Sequence, residues 1–282
     1  MFISYFDDKR ISEVKLKSAL KKLAPYQSQV KAAALANDES VSEYSLYHAR
    51  DFALHDTVAS VTKKFKGVKH LVLIGIGGSS LGLEAVHSVL NNGKVKLSVL
   101  DTVAPYKVDA VLRELLAYKK SSQFAICIIS KSGKTTETLA NASVVLDALV
   151  AQNGESVYGQ TIVIGDPKND LEKFAKKYGI TSVAMPAIIG GRYSVATAVG
   201  LIPMAILGYD VDAFIEGCLD SSEEKFESLV AESAARLFLY HSLNYHHYNF
   251  FAFEPRLEKL GAWYRQLLAE SVGKRLLKQV SQ

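Results

Sequence analysis

The sequence predicts an α/β fold: a three-layer αβα sandwich on a parallel β-sheet, preceded by N-terminal helices. Short apolar runs alternate with stretches of helical composition, which is the pattern of βαβ units. The runs are KHLVLIGI (69–76), KLSVLD (96–101), QFAICIIS (123–130) and TIVIGD (161–166). The helical stretches that follow them cover 80–91, 105–119, 135–151 and 169–178. Most of the runs are continuously apolar rather than alternating, so the sheet is expected to be buried on both faces.

The elements follow in order. Residues 11–36 are rich in Ala, Lys and Leu and read as a helix ending near Asn37-Asp38. A second helical stretch spans 41–64, and TSVAMP (181–186) reads as a fifth strand. Beyond Pro186 the chain is mostly helical, at 194–208, 210–219 and 221–245. Phe226, Leu229, Val230, Ala234 and Leu237 fall on one helical face. YNFFAF (248–253) reads as a further buried strand, and Pro255 to Lys274 as the helix after it. AMPAIIGGR (184–192) is the expected boundary, giving an N-terminal helical segment (1–64), a βα domain (65–186) and a helical region opening an incomplete second βα domain (187–282).

Composition bounds the function. The chain has 282 residues, 49% hydrophobic and 22% charged, with a formal net charge of +4. That is ordinary for a globular protein with a substantial core. Lysines scatter along helices and form no arginine stripe with interleaved aromatics, so nucleic acid is not an expected partner. Cys127 and Cys218 are far apart and outline neither a disulfide framework nor a zinc site; Cys127 is expected to be a buried, inert thiol. MFISYFDDKR lacks the apolar core of a secretory signal, and no run reaches the length of a membrane span. The expectation is a cytoplasmic protein without membrane contact.

Two polar, glycine-containing turns lie at the carboxyl ends of strands, where sheets of this class bind ligands. ISKSGKTTET (129–138) ends like a nucleotide P-loop, but the first glycine of that pattern would fall at Ile128, inside the strand. The ATP reading fails. What remains is a dense set of donors, Ser130, Lys131, Ser132, Lys134, Thr135, Thr136 and Thr138, ahead of a helix starting near Thr135. This suits one phosphate monoester on a helix N-terminus; a polar βα loop with a Ser/Thr N-cap has the same composition. IGIGGSSLG (74–82) matches the dinucleotide fingerprint only in part, because Ser80 stands where its third glycine should be. Gly78 and Ser79 better suit close backbone approach to a sugar or a phosphate.

Three further positions carry chemistry. GGRYS (190–194) sets Arg192 beside two glycines, where its guanidinium could meet a phosphate or a developing oxyanion, or serve in a structural ion pair. Glu270 lies on an amphipathic helix with Trp263 and Leu267, as a candidate general base or an exposed helix carboxylate. His241, His246 and His247 cluster, but the five-residue spacing of His241 and His246 is poor for ligation from one helix face, so no metal site is expected.

Taken together, IGIGGSSLG (74–82), SKSGKTTET (130–138), GGRYSVATAVG (190–200) and WYRQLLAESVGK (263–274) resemble the phosphoglucose isomerase family of sugar isomerase (SIS) proteins, in the same order. The resemblance runs from about residue 40 to residue 274. It implies an SIS-type αβα sandwich with the beginning of a second SIS domain. It also implies interconversion of glucose 6-phosphate and fructose 6-phosphate through a cis-enediolate, in glycolysis and gluconeogenesis, with no cofactor. By resemblance, Ser130, Lys131, Ser132, Thr135 and Thr138 would hold the substrate phosphate, and Gly78 and Ser79 would lie against the sugar. Arg192 would steady the enediolate, Glu270 would carry the proton between C2 and C1, and Gln266 would contact the substrate. The full-length form would be a homodimer.

The sequence departs from the family in two ways. Lys134 replaces a small or aromatic residue. The histidine and lysine expected to open the sugar ring would lie beyond Glu270, in a stretch these 282 residues do not contain. The expectation is therefore a piece of a longer isomerase. A chain working with a separate C-terminal half, another SIS aldose–ketose isomerase, and a non-catalytic sugar-phosphate-binding SIS protein are the alternatives.

Overall fold

The computed structural model describes residues 9–36, 38–46, 51–221 and 223–280. In chain order the helices and strands are α1 (Glu13–Ala36), α2 (Phe52–Thr62), β1 (His70–Ile74), α3 (Leu81–Leu90), β2 (Lys96–Leu100), α4 (Pro105–Leu116), β3 (Phe124–Ile129), α5 (Thr136–Asn153) and the one-turn α6 (Ser156–Gly159). They continue with β4 (Thr161–Gly165), α7 (Asp170–Lys177), β5 (Thr181–Ala184), α8 (Ala198–Ile206), α9 (Val211–Asp220), α10 (Glu224–Ser242) and α11 (Glu258–Val280). The chain divides into two compact units, one from Met1–Arg50 with Asp212–Phe251 and the other from Asp51–Val211 with Ala252–Gln282.

In the first unit, α1 packs along α10. Val30 and Ala33 of α1, and Ala231 and Ala235 of α10, are buried, and Lys31 pairs with Glu227 at 3.6 Å.

The second unit holds the sheet. Its order is β2-β1-β3-β4-β5, and every pairing is parallel. This is the α/β class the alternation implied. β1, β3 and β4 are buried along their whole length, while the edge strands β2 and β5 are only partly so. Continuous apolar sequence and central position thus go together: a strand covered by helices on both faces has no solvent-facing side to make polar. Phe124, Ile126, Val145, Leu146, Leu149 and Val157 belong to the core that joins the sheet to α4 and α5.

Cys127 is a fully buried free thiol in β3, as expected, and burial pushes its pKa up strongly. His70 is also fully buried, at the amino end of β1, with Nε2 2.8 Å from Ser98 Oγ. No described helix is long and apolar enough to cross a membrane.

Two expectations differ from the structure. The stretch 41–64 is not one helix: a 3₁₀ turn occupies Ser42–Leu46 and α2 begins only after the Asp51 cap, whose side chain accepts from Leu54 N. YNFFAF is not a buried strand. Residues 245–252 have no regular structure, and Phe251 and Phe253 are 84% and 99% exposed. The run has strand composition, but a strand must exchange hydrogen bonds with a neighbour, and no described strand pairs with it.

Candidate active site

The site is built at the reversal of the sheet. The strand order turns between β1 and β3, and in open parallel sheets the crevice beyond the carboxyl ends at that point is the ligand site. The two polar turns singled out in the sequence leave these two strands. They touch at their roots, because a Cβ on Gly75 would lie only 3.0 Å from the Ile129 carbonyl oxygen.

The turn after β1 is a 3₁₀ turn, Gly77–Ser79, leading through Ser80 into α3. Gly77 has φ +59°, a conformation favouring glycine. Gly78 is required for a different reason. A Cβ there would lie 2.2 Å from the Gly191 carbonyl carbon and 2.7 Å from the Arg192 nitrogen. The backbone of this turn therefore lies directly against the 3₁₀ turn Gly191–Ala196, which carries Arg192. Ser194, almost fully buried, joins the two by donating to the Gly191 carbonyl (2.7 Å) and facing that of Gly78 (3.2 Å).

α11 brings the carboxylate. Glu270 Oε2 lies 3.6 Å from Arg192 Nη1, and Glu270 Oε1 accepts from Gln266 Nε2 at 2.8 Å. The other amide atom of Gln266, Oε1, is buried without a protein partner. Arg192 is fixed from several sides: its Nε donates to Ser271 Oγ at 3.0 Å, its guanidinium lies 4.4 Å from the Tyr193 ring centroid, and its carbonyl accepts from Trp263 Nε1 at 3.1 Å. Tyr193 OH also reaches Ser271 Oγ at 3.0 Å. Gly78, Arg192, Gln266 and Glu270, separate in sequence, thus form one constellation. Its chemistry is a positioned carboxylate beside a positioned cation, which suits removal of a proton from carbon with stabilisation of the resulting oxyanion.

The turn after β3 has the features of an anion site. Thr135 is the N-cap of α5 but its side chain caps nothing; Thr135 Oγ1 instead lies 3.0 Å from Ser130 Oγ. The first-turn N–H groups of a helix have no intrahelical partner, and the helix dipole favours negative charge there. Thr138, in that first turn, is fully buried with its Oγ1 unpartnered. Gly133 (φ +65°) bends the loop against Asn169, whose Nδ2 donates to the Lys131 carbonyl at 3.2 Å. Ser132 is exposed, and its Oγ accepts from Lys134 N at 3.2 Å.

Lys131 links the two halves. Its Nζ donates to the carbonyls of Ala187 (2.6 Å) and Ile189 (3.0 Å), in the segment running into the Arg192 turn. The phosphate-type loop and the arginine are thereby tied together.

Sequence reasoning missed Tyr193, Ser194, Trp263 as a hydrogen-bond donor, Ser271 and Asn169. Ser194 and Ser271 adjoin singled-out residues, but a serine's partner across more than seventy residues leaves no local signal. Asn169 had one: it is the N-cap of α7, accepting from Glu172 N at 2.8 Å. Among the described residues no group of three or more His, Cys, Asp or Glu side chains could hold a metal ion. His241 and His246 do meet, Nδ1 to Nδ1 at 3.1 Å.

Comparison with known proteins gives the family. The sequence model of the family described as phosphoglucose isomerase matches residues 5–282. A glucose-6-phosphate isomerase of Thermus thermophilus is 38% identical over 212 residues, covering 73% of this chain and 50% of that protein. The crystal structure of a hypothetical protein from Thermus thermophilus aligns with a TM-score of 0.74 at 31% identity, covering 93% of this chain and 63% of that one. A glucose-6-phosphate isomerase from Chlamydia trachomatis shares the fold, with a TM-score of 0.53 at 22% identity over 62% of this chain and 33% of that one. The chain spans about half the length of the curated relatives it matches. Matched by the family's sequence model along almost all of its 282 residues, this chain belongs to the phosphoglucose isomerase family.

Proposed function

We propose that this chain carries the proton-transfer half of an aldose–ketose isomerase that interconverts glucose 6-phosphate and fructose 6-phosphate. The observation that carries the reading is the Glu270–Arg192 pair, 3.6 Å apart at the mouth of the β1/β3 crevice and tied through Lys131 to the Ser130–Thr138 loop. The loop holds the phosphate: the α5 N-terminus, Ser130, Lys131, Ser132, Thr135 and the orphaned hydroxyl of Thr138 supply donors. The backbone at Gly78 and Ser79, with Gln266, lies against the sugar.

The step balances within the substrate and one side chain. The Glu270 carboxylate takes the C2 proton of the open-chain aldose. The C–H electron pair becomes the C1=C2 bond, and the carbonyl oxygen at C1 takes the negative charge. The Arg192 guanidinium offsets that charge. Glu270 then returns the proton to C1 while the O2 proton passes to O1, leaving the ketone at C2. Holding the distant phosphate fixes the reacting carbons against Glu270, so that binding energy becomes orientation.

The wider reading we propose, with family membership as its support, is a cytoplasmic enzyme of glycolysis and gluconeogenesis, homodimeric at full length. The division into 1–64, 65–186 and 187–282 belongs to the same proposal. Exchange of the C2 proton of glucose 6-phosphate with deuterated solvent tests the chemistry. Glu270→Gln is expected to abolish exchange while phosphate binding persists. Unchanged exchange would remove Glu270 from the mechanism, and binding without exchange in the unaltered chain would leave a sugar-phosphate binder.

A further inference from the structure

α11 carries Gln266 and Glu270, so its position along α3 decides where both meet Arg192. Its second residue is Lys259, a cation at the positive end of a helix dipole, where it is locally unfavourable. Lys259 Nζ donates to Glu84 Oε2 at 2.7 Å. Glu84 lies in the first turn of α3; its side chain is only 10% exposed, and its Oε1 is buried without a partner. A carboxylate in such a place is costly unless a cation meets it. A second contact reinforces the first: Ser88 Oγ, one turn further along α3, donates to the Arg256 carbonyl at 2.7 Å.

The spacing gives the pair its consequence. Trp263, Gln266 and Glu270 follow Lys259 by four, seven and eleven residues, so at 100° per residue all four lie on one stripe of the helix. Glu270 is about 16 Å along the axis from Lys259 at 1.5 Å per residue. α3 also positions the arginine turn, since a Cβ on Gly82 would lie 2.8 Å from the Val195 Cβ. We infer that the Glu84–Lys259 ion pair is a register clamp, which fixes the sliding position of α11 on α3 and so sets Glu270 and Gln266 against Arg192. Apolar side chains tolerate a slide of one helical turn, about 5.4 Å, better than a paired charge does. Glu84 and Lys259 are positioning residues, and their catalytic consequence rests on the reading of Glu270 as the base.

Trp263 reports the register directly, because it is the chain's single tryptophan and its Nε1 bonds the Arg192 carbonyl. The 282-residue chain is compared with Glu84→Met, Lys259→Met and the charge-swapped pair Glu84→Lys with Lys259→Glu. Each single variant is expected to red-shift Trp263 emission and to open it to acrylamide, with helix content by circular dichroism unchanged, and the swap is expected to reverse the shift. In turnover, the single variants should lose about tenfold or more in kcat with KM within about twofold, since the phosphate loop lies on other elements. A chain that exchanges no C2 proton would sink the isomerase reading and leave the fluorescence arm to judge the clamp. Unchanged emission in both single variants, or a shift that the swap fails to reverse, overturns the clamp.

Discussion

Gln266 donates to Glu270 across one turn of α11, Nε2 to Oε1 at 2.8 Å, while the second oxygen of Glu270 faces Arg192 at 3.6 Å. The carboxylate is held by one amide hydrogen bond and one ion pair, which restricts its orientation. Gln266→Ala should therefore slow C2-proton exchange by about 10- to 100-fold, the range that misplacement of a reacting group costs. Affinity for inorganic phosphate should stay nearly constant, because the loop proposed to hold the phosphate leads into α5, away from α11. Isotope exchange and phosphate titration on the same variant check both halves. Equal losses in the two would place Gln266 in general stability instead.

Gly78 offers a steric test. A methyl group there would have to displace the Gly191 carbonyl, 2.4 Å from the would-be Cβ, and backbone yields less readily than a side-chain tip. Gly78→Ala is expected to cost about 1–3 kcal/mol of stability, the usual scale of overpacking. It should also part the turn from Arg192 and Ser194 and abolish exchange. Gly93→Ala is the control for space: its φ is +70°, so it carries backbone strain, but nothing lies within 4 Å of a Cβ there. Chemical denaturation of both variants, with exchange rates, separates steric displacement from strain.

The contrast between these two glycines shows what the sequence could convey. The succession of strands and helices through the βα region and the location of both polar turns followed from apolar runs and glycine-rich punctuation, because a buried parallel strand must be apolar throughout and any ligand loop must follow its carboxyl end. Gly78 stood out within its motif, but its reason, the Gly191 backbone over a hundred residues away, left no local mark. The Lys131 contacts to Ala187 and Ile189 were equally invisible, since any backbone carbonyl can accept a lysine and sequence does not say which will be near. The 248–253 run misled because strand propensity describes a fit to a pleated, covered surface, and no described strand provides one. Glu270 and Arg192 were legible only as a pair of motifs, through the family resemblance; alone, each was an ordinary charged residue.

Lys131 has one observed duty and one proposed, and substitution should separate them. Its ammonium already commits donors to the Ala187 and Ile189 carbonyls, yet it sits in the loop proposed to hold the phosphate. Lys131→Met combined with Thr135→Ala should weaken binding of fructose 6-phosphate by at least about tenfold, as expected from the loss of charge-assisted hydrogen bonds. Binding of unphosphorylated fructose should change far less. Calorimetry with the two sugars decides; equal loss on both would mean that the loop anchors the 187–189 segment and binds no phosphate.

His70 predicts how the fold responds to acid. Burial holds its imidazole down to about 4, with Glu114 opposing and Lys96 adding to the shift. The native form is thus neutral, with Nε2 on Ser98 Oγ. In the unfolded chain the imidazole titrates near its ordinary 6.5. Between those two values the unfolded state binds a proton that the folded state refuses, so the His70 contribution is complete above about pH 6.5 and drains away as pH falls toward 4. Below that both states are protonated and the contribution no longer changes. A His70→Gln variant, able to keep a hydrogen bond to Ser98 but not to titrate, should be less stable than the unaltered chain at neutral pH. It should lose less on acidification, so the two stability curves converge between about pH 6.5 and 4. Urea midpoints measured across that window check the sign, and parallel curves would show that some other group sets the acid response.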